Sequence, residues 1–143
     1  MTAPGGVPVI RVVAALAVDD AGRLLLVRKR GTTAFMQPGG KPEPGEGAAE
    51  ALVRELHEEL GVVVAESSLT HLGRFEAPAA NEPGHGVDAE VFALELPGSV
   101  APHAEIEELR WLHPAQLHLV EVAPLVTMHM MRLIDGGGIG PSR

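Results

Sequence analysis

With 143 residues, the chain is the size of one domain. Its 45% apolar content supports a hydrophobic core without staples, and the absence of cysteine removes disulfides and thiolate chemistry. Nineteen acidic residues against eleven basic ones, net −8, oppose a basic grip on polynucleotide phosphate, so no nucleic-acid partner is expected. A small polyphosphate stays open to an acidic protein if metal ions stand between the two sets of charge.

The first eight residues hold no Lys or Arg and lead into no long apolar run, so a secretory signal is not expected. The longest purely apolar stretch, residues 12–18, is far shorter than the roughly 20 residues of a membrane-spanning helix. A soluble, cytoplasmic protein without a membrane partner is the expectation. Residues 1–7 read as a flexible leader, 8–135 as one domain and 136–143 as a flexible tail.

Within the domain, residues 8–18 are rich in β-branched side chains and predict a buried strand. A turn at Asp19-Asp20-Ala21-Gly22 leads to a second strand over 23–30, and the pair predicts a hairpin. Residues 31–40 form a loop or short strand closed by Gln37-Pro38-Gly39-Gly40, and the turn-rich 41–45 leads into a helix over 46–60 stopped by Gly61. Strands are expected near 62–64, 71–77 and 87–96, with a loop over 78–86. Residues 110–112 read as a short strand after an acidic segment, and 124–134 as a final helix, where Met128, Met130 and Met131 fill gaps. Strands on both sides of one helix, with a second helix at the end, predict an α+β domain, a layered α/β/α arrangement.

The helix over 46–60 carries the chemistry. At about 100° per residue, Ala49, Leu52, Val53, Leu56 and Leu60 share one apolar arc, and Glu55, Glu58 and Glu59 fall side by side on the next. Like charges so spaced repel, and a divalent cation would offset the repulsion directly. A solvated acidic face is the alternative. Against it stand three features. Glu58 and Glu59 occupy the last turn, where the helix dipole disfavours negative charge. Arg54 lies beside them and can hold one carboxylate by a bidentate contact. The glycines upstream let backbone amides come close to whatever the carboxylates hold.

The stretch over 40–62, GKPEPGEGAAEALVRELHEELGV, resembles the Nudix signature at each of its defined positions: Gly40, Glu46, Arg54, Glu55, Leu56, Glu58, Glu59, Gly61 and Val62. Gln37 to Lys41 looks like the Pro-Gly-Gly-Lys approach of that family, with Gln37 where an apolar residue is often seen. The likeness covers about residues 8–134. It implies a mixed β-sheet between helices, with the signature forming a loop–helix–loop. It also implies a metal site of Glu55, Glu58 and Glu59 with Gly40, catalytic support from Arg54 and Glu46, and a hydrolase cleaving the pyrophosphate bond of a nucleoside diphosphate derivative.

Mg²⁺ suits such a set, since it takes oxygen ligands and bridges carboxylates to phosphates; Mn²⁺ is an alternative. Metal ions would neutralise the diphosphate and ready a water for attack on phosphorus, with no Ser, Cys or His nucleophile needed. The resemblance leaves the general base open between a signature glutamate and a later acidic residue, for which Glu105, Glu107, Glu108 and Glu90 are candidates. Arg28, Lys29 and Arg30 either meet substrate phosphates or guard a sheet edge, and Phe35 either stacks on a base or packs in the core. Arg28, Arg30, Phe35 and Lys41 are the candidate substrate contacts. The resemblance points first to nucleoside triphosphates, oxidised ones included, with ADP-ribose, nucleotide sugars and dinucleotides as alternatives. In another class stands a nucleotide-binding module without turnover. A homodimer is compatible with all of these.

Overall fold

The computed structural model describes residues 6–96 and 99–135. Its strands are β1 (Val9–Ala17), β2 (Leu24–Lys29), β3 (Gly39–Gly40), β4 (Thr70–Pro78), β5 (Gly86–Leu94) and β6 (Ile106–Leu112). The α-helices are α1 (Ala48–Leu60) and α2 (Met131–Asp135). Short 3₁₀ turns cover Glu66–Ser68 and Pro114–Leu119, and a π turn over Val126–Met130 runs into α2. The order β3-β1-β5-β4 makes a mixed sheet in which β1 and β5 run parallel, and β2 pairs antiparallel with β6.

Alternation along the strands sets the layers. Val13, Ala15 and Ala17 of β1, with Leu25 and Val27 of β2, pack against Ala51, Leu52, Leu56 and Leu60 of α1. The intervening Ala14, Leu16, Leu24 and Leu26 face the other way, onto Leu125, Val126 and Met130 of the C-terminal helical segment. Both strands are therefore apolar on both faces, and the domain is the layered α/β/α arrangement that the sequence predicts. Full burial of each leucine on α1 contributes about 1.5–3 kcal/mol.

Several expectations are corrected. Residues 8–30 do not form a hairpin ladder: Val18 and Leu24 bridge across the turn, then β1 joins β5 and β3 while β2 joins β6. Both edges of β1 are taken, one by β5 along its whole length and the other by β3 and the Pro38 carbonyl, so β2 pairs elsewhere. Residues 62–64 lack a ladder partner among the described residues. Val62 and Val64 enter the core and Val63 is 76% exposed, so the alternation is real without a strand. Of the acidic segment before Arg110, Glu107 and Glu108 belong to β6 itself, which pairs with β2, and Arg30 and Arg28 neutralise them.

Helix α1 begins at Ala48 rather than Glu46. The Glu46 N–H donates to the Glu43 carbonyl at 2.9 Å while its carboxylate accepts from the Glu43 N–H at 2.9 Å, closing a turn ahead of the helix. Gly61 ends α1 as expected, in the left-handed region at φ 67°. The final helix is broken by the π turn, which leaves Met130 buried and Met128 exposed, so Met128 fills no gap. The expected tail over 136–143 and residues 1–5 of the leader lie outside the described residues. No helix among the described residues is long and apolar enough to cross a membrane.

Candidate active site

Two glycines bring β3 against α1. Gly39 has φ 147°, and a Cβ there would collide with the Val13 carbonyl; a Cβ on Gly40 would collide with the Glu55 carboxylate. Glycine at both positions lets the backbone run beside the helix, so that the Gly39 N–H donates to Glu59 Oε1 at 3.1 Å. Glu59, with 3% exposure, is a carboxylate drawn into the protein interior.

Burial pushes the Glu59 carboxyl up to about 8, with the Gly39 N–H opposing the rise. Burial also raises Glu55, against the pull of Arg54. Glu46 goes the other way, held at about 2 by Arg54. Arg54 meets it bidentately, Nε to Oε2 at 2.8 Å and Nη2 to Oε1 at 2.9 Å. Its Nη1 reaches Glu55 Oε2 at 3.2 Å and Glu58 Oε2 at 3.3 Å, and Nη2 donates to the Lys41 carbonyl at 3.2 Å. One guanidinium thus spans three signature glutamates, and its own proton is held more tightly than usual.

The three expected metal ligands do not share one direction. Glu55 and Glu59 line a cavity of about 350 Å³ together with Gly40, Lys41, Lys29 and Glu105. Glu58 is half-exposed and turned toward Arg54 outside that lining. Among the described residues no three Asp, Glu or His side chains gather on a single ligand point. The donor set nonetheless fits a hard divalent cation: the buried Glu59 and the partly buried Glu55, oxygen-only carboxylates of raised proton affinity, a third one turn away, and a glycine backbone with no side chain in between.

Arg28 and Arg30 stand away from the cavity, paired with Glu108 and Glu107 at 3.3 and 3.4 Å. Phe35 is 5% exposed in the second core, beneath the Arg28 and Arg110 guanidiniums. Lys41 does line the cavity, as does Lys29, which pairs with Glu105 at 3.4 Å. Alternation held the signal for Lys29, since it follows Leu25 and Val27 on the α1 face of β2. Of the general-base candidates, Glu105 borders the cavity, while Glu90 is engaged by Arg11 and His71. Gln37 and Asn81 also line it; only the departure from an apolar residue marked Gln37 in the sequence, and nothing marked Asn81.

The chain matches the NUDIX domain over residues 8–130, which takes in every strand, α1 and all the residues of this site. The chain belongs to the NUDIX family. It is a MutT-like Nudix pyrophosphohydrolase. A Bacillus subtilis relative, described as a candidate 8-oxo-dGTP diphosphatase, is 30% identical over 109 residues, covering 75% of this chain and 68% of the relative. An ADP-ribose pyrophosphatase of Methanocaldococcus jannaschii is 33% identical over 84 residues, 57% of this chain and 48% of that protein, so the match spans about half of it. The crystal structure of the MutT protein from Methanosarcina mazei Go1 superposes with a TM-score of 0.72 at 25% identity, covering 91% of this chain and 95% of that one. Nudix hydrolases depend in general on divalent metal ions, in keeping with the donor set described above.

Proposed function

We propose that the protein hydrolyses a nucleoside triphosphate, oxidised forms included, at a phosphoanhydride bond with Mg²⁺ held by Glu55, Glu58, Glu59 and the Gly40 backbone. The observation that carries the reading is the cavity wall where Glu55 and the buried Glu59 meet Gly39 and Gly40. Bound divalent ions would neutralise the diphosphate and lower the pKa of the attacking water. The chain's own residues do the rest. Lys29 and Lys41 draw the phosphates into the cavity. Arg54 fixes Glu55 and Glu58 by pairing with both while anchored on Glu46. Glu105, at the cavity border, accepts the proton of water as its oxygen attacks phosphorus. The bridging P–O bond breaks, and two phosphate-bearing products leave.

A second reading, ADP-ribose as substrate, draws on the resemblance to the M. jannaschii enzyme. Turnover on a panel of nucleoside triphosphates, ADP-ribose, nucleotide sugars and dinucleotides, with Mg²⁺ or Mn²⁺ and product identification, separates the two. Glu58→Gln and Glu59→Gln are each expected to lose roughly a hundredfold or more, as befits several kcal/mol of transition-state charge stabilisation. Near-wild-type turnover in both would sink the metal assignment.

A further inference from the structure

Gln37 holds an amide where an aliphatic side chain would pack without loss. The residue is 8% exposed, and its Oε1 is buried with no hydrogen-bond partner, the one such side-chain atom among the described residues. A leucine would fill the space and leave no carbonyl oxygen unpaired, so the amide works against folding. Its backbone is clamped on both sides: Met36 exchanges hydrogen bonds with Val27, and the Pro38 carbonyl accepts from the Ala15 N–H at 2.8 Å. Gln37 nevertheless lines the active-site cavity.

A second amide lines the same cavity from the loop between β4 and β5. Asn81 donates to the Met36 sulfur at 3.8 Å, a weak acceptor that leaves most of the amide's hydrogen-bonding capacity unspent. Ile10, Val12 and Val87 supply an apolar surface there. Ile10 pairs with Val87 in the β1–β5 register, and Val13 pairs with Gly40, so the Ile10 end of the apolar surface lies three residues along β1 from the glycine wall, about 10 Å. That separation suits a ligand with a diphosphate at one end and a flat ring at the other.

We propose that the amides of Gln37 and Asn81 read the N7-side edge of the substrate's nucleobase, selecting purines that present an N–H donor beside an acceptor there, as adenine does with N6–H and N7. The inference rests on the nucleotide-hydrolase reading above and adds the determinant of base choice. An amide carries one acceptor and two donors on a short planar group, the pattern that pairs bidentately with such an edge.

The test compares kcat/KM for the four nucleoside triphosphates in the unaltered protein, Gln37→Leu, Gln37→Glu and Asn81→Ala. Gln37→Leu is expected to lower kcat/KM for the best base roughly tenfold, mostly through KM, and to change the worst base about twofold at most. Gln37→Glu, which keeps the acceptors and loses the donors, reorders the bases instead of levelling them. An unchanged ranking in both Gln37→Leu and Asn81→Ala overturns the inference, whatever happens to Tm. If the unaltered protein turns over none of the four, the triphosphate reading fails separately. Calorimetric binding of the same nucleotides with Ca²⁺ then decides: base discrimination lost in Gln37→Leu supports the inference, and equal discrimination in both proteins overturns it.

Discussion

Arg54 sets the charge balance of the site, because four glutamates (Glu43, Glu46, Glu55 and Glu58) lie within ion-pair distance of it. Its strongest partner is Glu46, outside the helix, which ties the turn ahead of α1 to the helix surface two turns on. The pair carries a pH signature. Glu46 sits at about 2 in the folded protein, below the value of about 4.3 for a free glutamate, so it stabilises fully above pH 4.5 or so and loses that contribution as pH falls toward 2. Denaturation midpoints of the wild type and Glu46→Gln should therefore differ at pH 7 and converge between roughly pH 4.5 and 2. A gap that persists at pH 2 would show that the ion pair is not its source. At this scale the sequence was informative wherever spacing alone fixed a residue's partner: the helical arc places Glu55, Glu58 and Arg54 together. It was silent where partners come from distant segments. That Arg28 and Arg30 belong to Glu108 and Glu107 follows from the pairing of β2 with β6, which no local pattern announces. Lys29, between them, faces the cavity instead.

At the scale of elements, α1 was the most legible because three independent signals agree on it: an apolar stripe, a glycine stop and a turn-rich approach. Its packing and its cap should be separable by mutation. Leu52, fully buried against the sheet, should cost about 2–5 kcal/mol when changed to alanine. Gly61→Ala should cost about 1 kcal/mol through its left-handed backbone, and more if the His103 ring cannot give way to the new methyl group. Urea denaturation measures both, and a Gly61→Ala protein as stable as wild type would deny the cap its role. The strands were legible as strands but not as pairs. Residues 12–18 and 24–27 are apolar without interruption, which marks them as buried on both faces. The choice between pairing with each other and pairing with β5 and β6 depends on segments some 70 to 90 residues away. The π turn left no local mark, since Val126 to Met130 reads as ordinary helix until the packing against β1 and β2 is known.

Across the whole molecule, the cavity lies where the signature loop–helix meets the open end of β1, past the two-residue strand β3. One wall comes from the signature, which explains why the chemistry was readable in advance. The other comes from the loop between β4 and β5 and from the start of β6, whose composition looked like ordinary loop and ordinary surface charge. The glutamate wall is thus set by local sequence, and the wall facing it by tertiary assembly. The account stands on the carboxylates of α1 and the glycine backbone of β3 acting together as a cation site. Calorimetric titration of Mn²⁺ into the wild type, Glu55→Gln and Glu59→Gln tests this most directly. The wild type should bind with an affinity that rises as pH approaches 8 and Glu59 gives up its proton, and each variant should lose at least about tenfold. Equal affinities in all three proteins, at every pH, would contradict it.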